Sequence, residues 1–234
     1  MLGLHGLFGA LSNYESIFNT FSRSFKVSIP LLPLFKLPIK ESTLDGLVDH
    51  IAAFIKHKKW NSVTLIGNSL GGHIALDYTL KHPEKVNALV LTGSSGLFES
   101  ALGESYPKKG DYEYVKERTQ YTFYDPKMAS KELIDEVYDI CNDREKAIRV
   151  ISFAKSAMRH NLRKHLHSIK APTLLIWGKD DRITPSFVGE EFHQLIADSE
   201  LHLVEKCGHA PMMERPDVFN KLLSDFLQKI NVAV

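Results

Sequence analysis

The residues in this chain whose types and spacing could do chemistry are a serine, an aspartate and a histidine on three separated loops. Ser69 stands in Gly67-Asn68-Ser69-Leu70-Gly71, an aspartate at 180 or 181 stands in the loop 178–185, and His209 stands in Cys207-Gly208-His209-Ala210. A serine hydroxyl is a poor nucleophile until a base takes its proton, and an imidazole with a pKa near 6.5 can do so at neutral pH. A carboxylate behind the imidazole fixes its tautomer and stabilises the cation that forms. The chemistry this trio could perform is acyl transfer to water. A fourth candidate is backbone: the loop His5-Gly6-Leu7-Phe8-Gly9 carries little side chain, and its Leu7 amide could be aimed at a developing oxyanion. His5 itself is expected to brace that loop rather than to act as a base.

Such residues must be held by rigid elements. Residues 62–66 form a β-branched and apolar run suited to a buried strand, and 73–81 carry Ile74, Ala75, Tyr78 and Leu80 at helical spacing. Glycines two residues to either side of Ser69 leave room for a sharp strand-to-helix reversal. Further strands are expected at residues 1–6, 25–29, 86–91, 172–177 and 200–204. Helices are expected at 12–21 with Ser12 as N-cap, at 43–56, at 187–196, and from Pro216 to about 228. Prolines 30, 33 and 38 exclude helix and central strand from 30–39, leaving a loop over the site.

Between residues 97 and 166 the alternation of strand and helix stops. Helical patterns at 112–122, 130–139 and 144–158 predict a helical cap over the C-terminal ends of the strands, where open α/β sheets bind ligands. The core is then 1–96 with 167–234. Aromatic residues, Tyr106 among them, are frequent in the cap, and most are expected to pack it.

Composition narrows the function classes. With 29 basic and 28 acidic residues the net charge is +1, which gives no general attraction to nucleic acid or anionic membranes. The two cysteines, Cys141 and Cys207, have no metal-ligand spacing and are expected as reduced thiols, and the short His165-x-His167 run is not expected to bind a metal. No stretch has the length of a membrane span or the form of a signal peptide, so a cytoplasmic location and a small-molecule substrate, with no cofactor, are expected.

Together these loops, in the order serine, aspartate, histidine, resemble the α/β-hydrolase family over nearly the whole chain. The matching segments are Gly67 to Gly71, His5 to Gly9, Gly178 to Pro185 and Gly208 to Pro216. The resemblance implies a mostly parallel sheet flanked by helices and a Ser69, His209, Asp181 triad. The aspartate four residues before the proline is selected because relatives with a D-x-x-x-P loop use that position. It also implies an oxyanion hole from the amides of Leu7 and Leu70. The pocket is expected to be lined by Phe8, Tyr121, Phe123, Phe153 and Met212. Simple ester hydrolysis is the activity expected first.

The segment 118–138 is similar to the cap of hydrolases that cleave C–C bonds in ring-fission (meta-cleavage) products, which makes that activity the second expectation. Those relatives tend to carry a lid arginine where this chain has Val137 and a tryptophan where it has Ala210. A ligand-binding, non-catalytic protein on the same fold is the third. Family members usually have two strands before the one leading into the His-Gly loop. Either these lie upstream or the sheet lacks them, and in the latter case strand 25–29 would be an exposed edge, so that a homodimer or poor solubility is expected.

Overall fold

Buried strands whose alternate residues are apolar on both faces can only be satisfied by a helical layer on each side, and the chain builds that arrangement. In the computed structural model, which describes residues 1–99 and 110–230, strands β1 (Leu2–Leu4), β2 (Val63–Asn68), β3 (Val86–Thr92), β4 (Thr173–Gly178) and β5 (Ser199–Val204) form one sheet in chain order. Every pair is parallel, with Leu4 opposite Gly67, Leu65 opposite Leu89 and Leu91 opposite Leu175.

Leu65, Leu89, Leu91, Leu175 and Trp177 face one apolar cluster with α2 (Leu44–His57), α3 (Leu70–Lys81) and α7 (Ser186–Leu195). Ile66, Ala88, Val90, Leu174 and Ile176 face a second cluster with α1 (Glu15–Phe21) and α9 (Pro216–Lys229). Parallel strands joined through helices place all the loops at the strands' C-terminal ends on one rim. Ser69, Asp181 and His209 all follow such ends, those of β2, β4 and β5.

Between β3 and β4 lie α4 (Tyr112–Tyr121), α5 (Lys131–Asn142) and α6 (Arg144–Arg159), the helices that the periodicity predicts. Each begins at a side-chain cap: Asp111 accepts from the Tyr114 amide, Ser130 from Leu133, and Asp143 from Glu145 and Lys146. The insertion is tied into both core clusters, through Phe153 and Ala157 on one side and Phe123, Ala129 and Ile134 on the other. Tyr106, counted above among its aromatics, lies outside the described residues.

Two expectations are corrected. Residues 25–29 do not form a strand; a single parallel bridge joins Leu2 to Ser28, with the Gly3 amide donating to the Ser28 carbonyl at 2.9 Å. Pro30 has no amide to extend that ladder, while Phe25, Val27 and Ile29 pack partly buried on the second cluster. Ser12 is not the N-cap of α1. The helix is preceded by a 3₁₀ turn, Leu11–Tyr14, in which Asn13 Oδ1 accepts from the Ala10 amide, and the turn buries Tyr14 so that its hydroxyl donates to the Leu4 carbonyl at 2.6 Å.

A short helix, α8 (Pro211–Glu214), follows the histidine loop and was not anticipated. Cys141 and Cys207 are free, buried thiols, with burial pushing the Cys141 thiol up to about 11. Among the described residues, no helix is long and apolar enough to cross a membrane.

Candidate active site

The reversal between β2 and α3 forces its central residue into a conformation that side chains avoid. Ser69 has φ +56° and ψ −122°, a strained geometry that persists only where the surroundings impose it. Those surroundings are the two glycines. A Cβ on Gly67 would lie 2.5 Å from the Gly71 carbonyl oxygen, and one on Gly71 would overlap the Leu4 carbonyl. The strain lifts Ser69 out of the fold: it alone in the run 63–79 is not buried. Its hydroxyl makes no hydrogen bond to a described residue, while its carbonyl accepts from the amides of Gly72, His73 and Ser95.

On the β4 loop, Asp181 is held by its own backbone. Oδ1 accepts from the amides of Ile183 (2.8 Å) and Thr184 (3.0 Å), and Oδ2 accepts from Thr184 Oγ1 at 2.9 Å. Trp177 Nε1, fully buried, donates to the Thr184 carbonyl and braces the loop from below. Oδ2 then receives His209 Nδ1 at 2.9 Å, both side chains being almost wholly buried. Asp180 is exposed, and the hydrogen bond with the imidazole is made by Asp181. Burial works against a charged His209, but the Asp181 charge and hydrogen bond outweigh it, with Glu99 and Glu214 adding to them, and the pKa is raised above 6.5.

The serine turn and the histidine loop are joined by two residues that the sequence reading did not single out for a role. Asn68, next to Ser69, is buried and donates its side-chain amide to the carbonyls of Thr92 and His209, each at 3.0 Å. Gly93, at φ +50°, leaves the space beside the imidazole open, since a Cβ there would lie 2.8 Å from His209 Nδ1. The turn signal Thr92-Gly93-Ser94 is visible in the sequence, but what the glycine clears is not.

The loop predicted to supply a backbone donor packs directly on the serine: a Cβ on Gly6 would be 3.1 Å from Ser69 Cβ. Within it, His5 has the bracing role expected, with Nδ1 against the Gly6 carbonyl at 2.8 Å and Nε2 accepting from the Leu32 amide at 3.0 Å. The amides of Leu7 and Leu70 have no acceptor among the described residues.

Of the expected pocket residues, Phe8 packs against the small cluster of Val115, Val137 and Cys141. Phe123 and Met212 are buried in the second core cluster, and Phe153 is fully buried in the first. Tyr121 lies at the surface with the Arg118 and Arg182 guanidinium groups 5.2 and 5.1 Å from its ring centre.

Two carboxylates around the histidine were missed. Glu99 is partly buried at the end of the β3 loop, close enough to His209 and Asp181 to feel both charges, and burial raises its pKa. Glu214, on α8 and 7% exposed, accepts from the Gly208 amide at 2.7 Å with one oxygen and from the Tyr124 amide at 2.8 Å with the other. The His209 amide in turn donates to the Thr122 carbonyl at 3.0 Å. The end of α4 is thereby clamped to the histidine loop. Burial pushes the Glu214 pKa up while its backbone donors oppose the rise. A glutamate five residues after the histidine is easily taken for a first-turn helix acid, and nothing in the sequence points to Tyr124.

Comparison with known proteins agrees with this architecture. A family model described as serine aminopeptidase, S33 (Hydrolase_4), matches residues 39–216. A 2-hydroxy-6-oxo-6-phenylhexa-2,4-dienoate hydrolase of Comamonas testosteroni is 32% identical over 207 residues, covering 82% of this chain and 69% of its own. The monoacylglycerol lipase ABHD6 of Bos taurus is 30% identical over 215 residues, covering 82% of this chain and 63% of its own. Among solved structures, the α/β-hydrolase enzyme MGS-MChE2, from a sediment metagenome of the Mar Chica lagoon, is 39% identical with a TM-score of 0.80, covering 98% of this chain and 90% of that one.

The chain belongs to the α/β-hydrolase family and is a serine hydrolase of that fold. Its relatives include dienoate hydrolases as well as a monoacylglycerol lipase. Other curated relatives, 2-hydroxy-6-oxononadienedioate/2-hydroxy-6-oxononatrienedioate hydrolases of Comamonas testosteroni and Escherichia coli, are matched over 62% of their own length.

Proposed function

We propose that the protein hydrolyses carboxylic esters of small to medium apolar acyl groups through an acyl-enzyme. Ser69 Oγ attacks the ester carbonyl as His209 Nε2 takes its proton, and Asp181 holds the imidazole by Nδ1 and stabilises the imidazolium. The amides of Leu7 and Leu70, which have no acceptor among the described residues, receive the oxyanion. His209 then protonates the departing alcohol, and in the second half it draws a proton from the water that attacks the acyl-enzyme, releasing the acid and restoring Ser69.

The observation that carries this reading is the buried 2.9 Å bond from His209 Nδ1 to Asp181 Oδ2, joined through Asn68 to a strained serine. The Ser69 hydroxyl has no hydrogen bond to a described residue, as is common for catalytic groups whose hydrogen bonds tighten on substrate binding. We take α4–α6 as the lid, and the apolar cluster of Phe8, Val115 and Val137 favours an apolar acyl group.

A second reading, cleavage of the C–C bond of a ring-fission product, is favoured by the likeness to the 2-hydroxy-6-oxo-6-phenylhexa-2,4-dienoate hydrolase. Against it stands Val137, a buried apolar side chain where such lids are expected to carry an arginine. The test is turnover of p-nitrophenyl esters of graded acyl length beside one ring-fission product. Short esters should be cleaved fastest, and Ser69→Ala should lower the rate by roughly 10⁴ or more. Equal rates in variant and parent would remove the enzyme reading, and preferential cleavage of the ring-fission product would replace it with the second.

A further inference from the structure

Helix α6 buries Val150, Phe153 and Ala157 on one face, as an amphipathic helix should. A second face, Ser152, Lys155, Ser156 and Arg159, repeats at i, i+3, i+4 and i+7 with hydroxyl and cationic residues only. This face does not look out into open solvent along its whole length. With Thr43 and His160 it lines an open surface groove of about 370 Å³ between α6 and the start of α2.

The polar groups here are arranged around what the fold has already used. Ser152 Oγ donates to the Ser42 carbonyl at 2.8 Å, Ser156 Oγ accepts from the Leu44 amide at 2.9 Å, and Thr43 Oγ1 accepts from the Gly46 amide at 3.2 Å. The amides of the first turn of α2 are therefore partly taken, and the capacity that remains is in side chains. Ser156 and Thr43 each keep a hydroxyl proton to donate. Lys155 and Arg159 are exposed, and neither has an ion pair or hydrogen bond to a described residue. On the α3 side, Lys81 Nζ lies between two carboxylates, 2.8 Å from Asp77 Oδ2 and 2.7 Å from Asp45 Oδ1. His160 Nε2 is 3.9 Å from Asp77 Oδ1, and its Nδ1 faces His73 Nε2 at 3.2 Å.

From these groups we infer that the cleft between α6 and the start of α2 is a binding site for a phosphate group, held by Lys155 and Arg159 with the hydroxyls of Thr43 and Ser156. Two cations and two hydroxyl donors on different elements can together supply several hydrogen bonds to the oxygens of one phosphate group. The groove is open to solvent, so the substituent of a phosphomonoester can extend out of it. Occupancy would also reach the serine turn, because His160 contacts His73, and Ser95 Oγ lies 3.4 Å from both His73 Nδ1 and the Ser69 carbonyl oxygen.

The experiment is a calorimetric titration of the whole protein with inorganic phosphate at pH 7 and fixed ionic strength, chloride replacing phosphate in the control. A parallel arm measures co-sedimentation with phosphatidylcholine vesicles with and without phosphatidic acid. Saturable phosphate binding, weakened at least about tenfold in a Lys155→Ala/Arg159→Ala double variant, is the expected result and identifies a soluble phosphate as the source. Binding confined to phosphatidic acid vesicles and lost in the same variant would keep the site and assign it to a lipid headgroup. Both positions are exposed, so the variant should melt at the parent's temperature without phosphate. As a second measurement, phosphate should shift the His160 imidazole resonances of the unmodified protein. Absence of saturable binding in both arms, or equal affinity in the parent and the double variant, would overturn the proposal.

Discussion

Replacing Glu214 by glutamine should separate the lid's hold on the histidine from the chemistry of the triad. In the parent, the two carboxylate oxygens each accept a backbone N–H, from Gly208 and from Tyr124, with Asp125 more distant at 3.4 Å. A glutamine has one oxygen and one NH₂ group, so whichever way it lies, one of the two segments meets a donor instead of an acceptor. A buried hydrogen bond to a charged group contributes about 1.5–3 kcal/mol, and the orphaned amide cannot turn to water. Losing one arm should therefore cost about 2 kcal/mol, which for a chain of this size is a fall in melting temperature of about 4–8 °C. The larger effect should be on rate. Gly208 precedes His209, whose own amide is bonded to Thr122, so a slackened clamp lets the imidazole drift, and a displacement of about 1 Å costs on the order of 10² in turnover. In p-nitrophenyl ester hydrolysis kcat should fall by about that factor with KM little changed. The midpoint of the acid limb should also move down, because the Glu214 charge is one of those raising His209. A folded Glu214→Gln protein with kcat within twofold of the parent and the same pH profile would refute the reasoning.

Two further predictions concern protonation. His209 works as a base only when neutral and its pKa is raised, so kcat/KM should fall as pH drops through a midpoint above 6.5; Glu99→Gln should bring that midpoint down, and an unmoved midpoint would show that Glu99 does not act on the imidazole. His73 is buried against His160 and Ser95, and burial followed by the His160 charge lowers its pKa to about 3. Between that value and 6.5 the unfolded chain takes up a proton that the native state refuses, so stability is full above about 6.5 and declines as pH falls, by at most about 1.4 kcal/mol per pH unit. His5, also buried with a lowered pKa, adds to the decline. Urea midpoints at pH 7, 6 and 5 should thus fall less steeply for His73→Gln than for the parent, and equal slopes would exclude His73 as the cause.

How far the sequence disclosed this molecule depends on whether each signal is local. The serine turn was legible because its glycines, its strand and its helix adjoin one another in the chain, and helices α2 and α4–α6 were legible because amphipathic period and cap residues are local too. Asp181 was selected over Asp180 by resemblance, and the structure gives the physical reason: only the second aspartate folds back on the amides of Ile183 and Thr184 and shows its other oxygen to His209. What failed was edge behaviour. Residues 25–29 have strand composition, but pairing is a property of two segments, and Pro30 with a single bridge at Ser28 ends it. What was invisible was long-range polar contact, such as the bond from Asn68 to the His209 carbonyl across 141 positions.

Those long-range contacts bear on how one core can serve different reactions. The groups that would move protons are fixed by the sheet: Asp181 by its own loop, His209 by Asn68 and Glu214, Ser69 by the two glycines. Among the described residues, the insertion's hydrogen bonds to the histidine loop and α8 come from residues 122–125, whereas α5 joins the second core cluster through Ile134 and α6 packs against the α2 side of the core. Side chains on α5 and α6, Val137 among them, can therefore change the pocket without disturbing the hydrogen bonds that hold the histidine. A Val137→Arg substitution tests this division, because it should alter which acyl groups or ring-fission acids are accepted while leaving the pH midpoint set by Asp181, Glu99 and Glu214 where it was.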